Sequence, residues 1–239
     1  MSSQHSVSFR FRQFGLTQDR SAMKVGTDGV LLGAWARVDN CREVWDVGCG
    51  TGLLALMVAQ RSKARILAIE IDNGAAMDAR DNIASSPWAD RISLTVCDAT
   101  AITPQPGRQP DLIICNPPFF ANSLKAPDAM RSAARHESSL GCTGIVALAS
   151  RVLSDSGRLA MITPADRYDD VMFESSIRRL HPLRITEVCS REGKAPNRLL
   201  WELARVSGPA VRDSISIRDA SNCYTEEYVA LTSDFYLNF

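Results

Sequence analysis

The sequence lacks a surplus of charge of either sign, because 27 lysines and arginines stand against 27 aspartates and glutamates in 239 residues. It also lacks an apolar run near the ~18 residues that cross a bilayer. Its first ten residues have no apolar stretch after a basic start, as a secretory signal would have. These absences exclude broad electrostatic wrapping of nucleic acid and predict a cytoplasmic protein with no membrane partner.

Ordered patterns of cysteine and histidine are missing as well. The seven cysteines are odd in number, scattered and never spaced C-x-x-C. The three histidines, His5, His136 and His181, form no local ligand spacing. The sequence therefore predicts a reducing compartment, no disulfide framework and no metal site.

From Glu43 onward, short apolar runs alternate with helix-like segments, which predicts an α/β sheet with helices on both faces. Only eight residues, 190–197, separate the last two predicted strands, too few for a helical crossover, so one of them should run antiparallel. The strands are expected at 43–47, 65–69, 91–96, 111–115, 158–163, 183–189 and 198–205, and the helices at 52–61, 73–84, 138–153 and 168–180.

Three glycines follow the first of these strands, in Asp46-Val47-Gly48-Cys49-Gly50-Thr51-Gly52. Glycine there lets the backbone turn tightly and lets a ligand approach the main chain. The third glycine comes one residue earlier than in the dinucleotide-binding pattern, and Asp46 would repel a phosphate but attract a cation. The loop favours an adenosine that carries a cationic amino acid, although such a loop can also be a turn without a ligand.

Acidic residues end the next two strands. Glu70 lies 18 residues after Gly52, where a carboxylate can accept from both hydroxyls of a ribose. Asp98 follows the third strand and either accepts from an adenine amino group or only caps a helix. With the glycine loop, these residues predict a site for S-adenosylmethionine.

The run Asn116-Pro117-Pro118-Phe119-Phe120 follows the strand at 111–115, at the sheet end where α/β proteins bind ligands. The oxygen of the Asn116 side chain and the Pro117 carbonyl can each accept one N–H of a planar amino group and so orient its nitrogen for methylation. Phe119 offers a face for stacking. The alternative is an ordinary Asn-Pro turn followed by two core phenylalanines.

Together, the glycine loop and the Asn-Pro-Pro-Phe run resemble the class I S-adenosylmethionine-dependent amino-methyltransferases. The run Met23–Trp35 resembles, more narrowly, the bacterial tRNA1(Val) adenine-37 N6-methyltransferases. The resemblance implies one Rossmann-like, seven-stranded domain over residues 1–239, with a covering segment at 1–42, a catalytic sheet at 43–205 and a tail at 206–239. It implies N6 methylation of adenine 37 in a tRNA anticodon loop, without an obligate protein partner.

The same resemblance assigns individual residues. Lys24 and Thr27 would line the cofactor pocket, although the segment up to Asp28 also fits a turn and a helix N-cap. The catalytic pair is Asn116 and Pro117, and the substrate contacts are Pro118, Phe119 and Phe120. The predicted cofactor contacts are Lys24, Thr27, Asp46, Gly48, Gly50, Gly52, Glu70, Asp98 and Asn116.

The sequence leaves the substrate open, because Asn-Pro-Pro-aromatic corners serve several kinds of amino and amide nitrogen in related enzymes. Residues 178–198 hold six basic and two acidic side chains, which suits either an RNA backbone or a solvated surface. One alternative is a protein glutamine N5-methyltransferase acting on release factors, but only about 45 residues precede Asp46, where such enzymes usually carry a helical domain. Another alternative is a non-catalytic, cofactor-sensing RNA-binding module.

Overall fold

An eight-stranded β-sheet forms the centre of the fold, and most of the predicted site residues lie at the ends of its strands. The computed structural model describes residues 9–118 and 140–239. The strands are β1 Phe9–Arg10, β2 Gly15–Leu16, β3 Glu43–Val47, β4 Arg65–Glu70, β5 Ile92–Val96, β6 Leu112–Cys115, β7 Arg158–Pro164, β8 His181–Cys189, β9 Arg198–Ala204 and β10 Val211–Ser216. The helices are α1 Thr27–Trp35, α2 Leu53–Arg61, α3 Asn73–Ala84, α4 Cys142–Val152, α5 Tyr168–Ile177 and α6 Glu226–Thr232, with short 3-10 turns at Ala99–Ala101 and Ala165–Arg167.

The strand order is β10-β8-β9-β7-β6-β3-β4-β5, with β1 and β2 forming a separate hairpin. Within the large sheet, β9 pairs antiparallel with both β7 and β8, and the other neighbours pair parallel. This confirms one antiparallel strand near the C-terminus. The other seven strands therefore end at one common edge, called here the carboxyl edge.

Both faces of the sheet are covered, as predicted. On one face α1, α2 and α3 pack with the N-terminal hairpin and the C-terminal segment, and on the other α4 and α5 pack. Successive side chains of β3 alternate between the two cores, with Val44 in the first and Trp45 in the second. All four residues of β6 are buried, as is typical of a central parallel strand.

The strand count differs from the expectation of seven, because residues 206–239 are more than a tail. They contain β10, which pairs with β8, and α6, which packs against the same region. Of the six residues of β10 only Ile215 is buried, since the strand forms an edge of the sheet. Polar residues are usual in edge strands, and they left no apolar signal to predict this one.

Predicted helices agree closely with the described ones, with small changes at their ends. The helix over 73–84 has the expected bounds, whereas α5 ends at Ile177 and α4 begins at Cys142. The N-cap of α1 is Gly26 rather than Thr27 or Asp28. Among residues 9–118 and 140–239, no helix is long and apolar enough to cross a membrane.

Candidate active site

The glycine loop joins β3 to α2 at the carboxyl edge. Its three glycines, Gly48, Gly50 and Gly52, have φ angles of 68°, 55° and 82°, which other residues rarely adopt. The amides of Gly48 and Cys49 both donate to the carbonyl of Ile69 at the end of β4, at 2.9 and 3.0 Å. The loop is therefore fixed against the neighbouring strand.

Glu70 braces the same loop from the end of β4. Its Oε2 accepts the amide of Gly50 at 2.8 Å, and its Oε1 accepts the amides of Ile71 and Asp72 at 2.8 and 2.9 Å. The carboxylate is buried. A carboxylate accepts about four hydrogen bonds, so further acceptance falls mainly to Oε2, which faces the glycine loop. Its predicted contact with a ribose stays a prediction.

Asp46, at the end of β3, is fully buried. Its Oδ2 accepts the amide of Ala55 in the first turn of α2 at 2.8 Å, whereas Oδ1 is buried with no partner among the described residues. Burial raises the pKa of Asp46 to about 7, with a smaller contribution from the charge of Glu70, while the Ala55 hydrogen bond acts in the opposite direction. A cation beside Oδ1 would stabilise the ionised form.

Asn116 follows β6, the strand next to β3. Because Asp46 is in register with Ile114, the two side chains leave adjacent strands at the carboxyl edge within two residues of each other. Asn116 Oδ1 is also buried without a partner in the described structure. Pro117 is buried and Pro118 half-buried, while Phe119 and Phe120 lie outside the described residues.

Residues 17–25, called here the N-terminal strap, connect β2 to α1. Two predicted cofactor contacts belong to this region: Lys24 lies in the strap and Thr27 just after it. Lys24 is exposed, and its Nζ donates to the carbonyl of Gln18. The side-chain oxygen of Gln18 accepts the amide of Val25 at 2.8 Å. Thr27 is exposed at the start of α1. The roles of Lys24 and Thr27 toward a cofactor stay predictions.

Two buried polar side chains of α3 hold the strap, and neither was predicted as a functional residue. Asn82 accepts the amide of Thr17 at 2.8 Å and donates to the carbonyls of Thr17 and Thr51 at 2.8 and 2.9 Å. Asp78 accepts two strap amides, including that of Ser21 at 2.8 Å. Their spacing of four residues places both on one helix face, a polar pair among buried alanines. Through Thr51, the strap is tied to the glycine loop.

Asp98 follows β5 and caps the short turn after it. Its Oδ1 accepts the amide and the hydroxyl of Thr100, both at 2.8 Å. This is the capping geometry that the sequence offered as the alternative to a contact with adenine. It uses one of the two carboxylate oxygens. Contact between Asp98 and a purine stays a prediction.

The cysteines beside the loop are not activated nucleophiles. All seven cysteines are free, and burial raises the pKa of the Cys49 and Cys115 thiols well above the ordinary value. A raised pKa keeps a thiol neutral and weakly reactive. In the described part of the chain, no group of three or more His, Cys, Asp or Glu is placed to hold a metal ion.

The residues at this edge fit an adenosine linked to a cationic amino acid. A Cβ added at Gly48 or Gly50 would meet no atom within 4 Å, so open space lies in front of the loop. Asp46 and Asn116 each hold a buried oxygen that lacks a hydrogen-bond donor. Buried acceptors without partners are costly, and a ligand that donates N–H groups would satisfy both.

Comparison with known proteins gives close relatives along most of the chain. The model of the methyltransferase small domain matches residues 24–181. The tRNA1(Val) (adenine(37)-N6)-methyltransferase of Phocaeicola vulgatus is 42% identical over 96% of this chain and 97% of the relative. The protein of that name from Porphyromonas gingivalis is 44% identical over 95% of this chain and 94% of the relative.

Solved structures with a similar fold include a predicted O-methyltransferase from Agrobacterium tumefaciens. It has a TM-score of 0.65 at 21% identity and covers 87% of this chain and 96% of its own. The ribosomal protein L11 methylase of Lactobacillus delbrueckii has a TM-score of 0.58 at 15% identity and covers 80% of this chain and 84% of its own. At these identities the likeness extends to the fold alone.

Proposed function

Because this chain belongs to the family of the tRNA1(Val) (adenine(37)-N6)-methyltransferases and contains its methyltransferase small domain, we propose that Asn116 orients the N6 amino group of adenine 37 for methylation. The observation that carries this assignment is the buried, unpartnered Oδ1 of Asn116 at the carboxyl edge, beside the strand that leads into the glycine loop. The chain is an S-adenosylmethionine-dependent methyltransferase with a Rossmann-like fold.

The cofactor is proposed to lie along the carboxyl ends of β3, β4 and β5. Gly48 and Gly50 leave room for it, Asp46 Oδ1 faces its cationic amino acid, and Glu70 Oε2 accepts from its ribose. Lys24, Thr27, Gly52, Asp98 and Asn116 complete the proposed set. When bound, S-adenosylmethionine supplies a methyl group activated by a sulfonium.

Asn116 acts on the nucleophile and needs no strong base. The lone pair of an adenine amino nitrogen is delocalised into the ring, which makes it a poor nucleophile. If Asn116 Oδ1 and the Pro117 carbonyl each accept one N–H, the nitrogen is held with its lone pair toward the methyl group. The same acceptors stabilise the positive charge that develops on the nitrogen, and one of its protons then leaves to solvent. Pro118, Phe119 and Phe120 are proposed to contact the base.

Two observations disfavour the alternative functions. The curated relatives that align with 95–96% of this chain at 42–44% identity are named as tRNA adenine-N6-methyltransferases, which disfavours a protein glutamine methyltransferase. A non-catalytic sensor has no need for the unsatisfied oxygen of Asn116, whose burial costs about 1–3 kcal/mol when it lacks a partner. A tRNA substrate also makes the cytoplasm the proposed location.

The proposed function is tested by incubating the protein with methyl-labelled S-adenosylmethionine and total bacterial tRNA. We expect label in N6-methyladenosine after nucleoside digestion, located at position 37 of tRNA1(Val) by purifying that tRNA and mapping the modified base. A transcript with guanosine at position 37 is the matched control and should remain unlabelled. Label confined to a protein fraction would overturn the RNA assignment.

Replacing Glu70 by alanine is expected to weaken cofactor binding about tenfold or more, since charge-assisted hydrogen bonds contribute roughly 1.5–3 kcal/mol each. The change removes the acceptor for the Gly50 amide as well as the proposed ribose contact. Calorimetric titration with S-adenosylhomocysteine measures the effect. Glu70→Gln keeps one acceptor oxygen and should fall between the alanine variant and the wild type. A wild-type affinity in the alanine variant would contradict the ribose role.

A further inference from the structure

The basic residues of 178–198 do not form one surface. The strand β8 lies between them, and its nine residues extend roughly 30 Å. Arg178 and Arg179 precede β8 and lie at the edge opposite the active site, whereas Arg191 and Lys194 follow it at the carboxyl edge. The excess of positive charge in the sequence is therefore divided between two ends of the sheet.

Carboxylates also neutralise half of these side chains. Ion pairs of 2.8 Å join Arg178 to Glu174, Arg184 to Asp213 and Arg198 to Asp28. Over the described residues, Arg191 and Lys194 make no ion pair, and neither does Arg218, which follows β10 at the same edge. Arg191, Lys194 and Arg218 are therefore three positive charges at the carboxyl edge that have no carboxylate partner in the described structure.

A neutral residue, Asn222, holds two of the three in place. Its side-chain oxygen accepts from Arg191 at 2.7 Å, and its backbone carbonyl accepts from Arg218 at 2.6 Å. Asn222 has a φ of 66°, in the left-handed region that favours glycine. The loop after β10 therefore adopts a less favourable backbone conformation and orients two guanidinium groups without neutralising either.

An aromatic side chain supports the same loop. The guanidinium carbon of Arg218 lies 4.2 Å from the ring centroid of Tyr224, which is 39% exposed. Tyr224 stacks in turn on the buried Tyr228 at 5.2 Å. Guanidinium planes and tyrosine rings are surfaces on which RNA bases stack, and guanidinium groups bind phosphates in two-point geometry. The four residues Arg191, Lys194, Arg218 and Tyr224 are called the edge cluster below.

We propose that the edge cluster binds the sugar-phosphate backbone of the anticodon stem while the target base lies at Asn116, an inference that rests on the proposed function. In the strand order, β8 and β10 lie three and four strands from β6, or ~14 and ~19 Å across the sheet. At ~3.4 Å per nucleotide along one strand of a duplex, that distance corresponds to roughly four to six nucleotides. A stem that adjoins the loop in which adenine 37 lies can therefore reach the cluster.

Acidic residues near the cluster limit how it can act. Glu192 and Asp219 lie in the same two loops, and Glu226 and Glu227 begin α6. The surface is therefore not strongly positive as a whole. It favours a few defined phosphate contacts over broad attraction, in keeping with equal numbers of basic and acidic residues in the chain.

The test compares two double variants that remove the same charge at opposite edges. The first, Arg191→Gln with Arg218→Gln, changes the edge cluster. The second, Lys63→Gln with Arg179→Gln, removes two exposed cations that lie at the other edge and make no ion pair in the described structure. Both are assayed as full-length enzyme with a tRNA1(Val) transcript, and melting temperatures check that each variant is folded.

We expect the edge-cluster variant to bind the transcript about tenfold more weakly, with the slope of log K against log salt reduced by about two. Its kcat at saturating tRNA and its affinity for S-adenosylhomocysteine should match the wild type, and the opposite-edge variant should bind tRNA normally. Asn222→Gly, which removes the acceptor of Arg191 alone, should give a smaller loss.

Two results would overturn the inference. In one, both double variants bind tRNA equally well or equally poorly. In the other, the edge-cluster variant binds the transcript more weakly but with an unchanged slope of log K against log salt, which would show that the cluster does not contact phosphates. Failure of the proposed function is separate, because it would appear as a wild-type enzyme that leaves tRNA unmethylated.

Discussion

Replacing Asn116 by alanine is expected to lower kcat for methyl transfer about a hundredfold or more, the loss seen when one oriented polar contact to a transition state is removed. The side-chain oxygen of Asn116 is buried and unpartnered, so its acceptor capacity is free for an N–H of the substrate. Without it the amino nitrogen keeps its lone pair in the ring. Single-turnover assays with labelled cofactor and tRNA1(Val) transcript measure the rate of the chemical step.

The affinity for S-adenosylhomocysteine provides the control for this variant and should change by less than about threefold, since the other proposed contacts still hold the cofactor and the contact of Asn116 with the substrate's amino group is absent without tRNA. Asn116→Asp is the matched substitution, because it keeps an acceptor oxygen on a side chain of the same shape. It should retain a higher rate than the alanine variant. An alanine variant that turns over at nearly the wild-type rate would show that Asn116 does not orient the nucleophile.

The sequence predicted the central strands well because their signals are local. The strand predicted at 111–115 is apolar from Leu112 onward and is followed by Asn-Pro, and the structure places β6 at Leu112–Cys115 as a fully buried strand. The polar edge strand β10 was missed, since exposure on an edge removes the apolar pattern on which such predictions depend. Local hydrophobicity therefore predicts the centre of this sheet better than its margin.

The arrangement of the site depends on contacts between distant residues, which a single sequence does not display. Asn82 joins the strap at Thr17 to the loop at Thr51, across 65 and 31 residues. The hydrogen bond that Glu70 accepts from the amide of Gly50, 20 residues away, is likewise set by how β4 lies beside the glycine loop. Residue types and strand ends predict which side chains lie close together. They do not predict which of their polar atoms already have a hydrogen-bond partner.

Cofactor binding is expected to strengthen about tenfold per pH unit between pH 5 and 7, because burial raises the pKa of Asp46 to about 7. Below that value the cofactor-free protein holds Asp46 protonated, and a cationic amino group binds the ionised form. Binding therefore releases a proton from Asp46, and the free-energy cost of removing that proton falls as the pH rises. Titrations with S-adenosylhomocysteine across this range avoid ionisation of the ligand's α-amino group, which loses its proton near pH 8.

The Asp46→Asn variant distinguishes the titration of Asp46 from the titration of other groups that could make cofactor binding depend on pH. The variant should bind with nearly constant affinity from pH 5 to 7, and more weakly than the wild type at pH 7 by about tenfold or more. A wild-type pH profile in the variant would assign the proton to another group.

The same titration predicts how folding stability depends on pH. A carboxyl whose folded pKa lies above its ordinary value of 3.8 loses stability as the pH rises toward 7, because ionisation then favours the unfolded chain. For a shift from 3.8 to about 7, the loss is at most about 4 kcal/mol. In the cofactor-free state, the free energy of unfolding of Asp46→Asn should therefore rise relative to the wild type between pH 4 and 7. Saturating cofactor should remove much of that difference, since the bound cation stabilises the ionised carboxylate that burial disfavours.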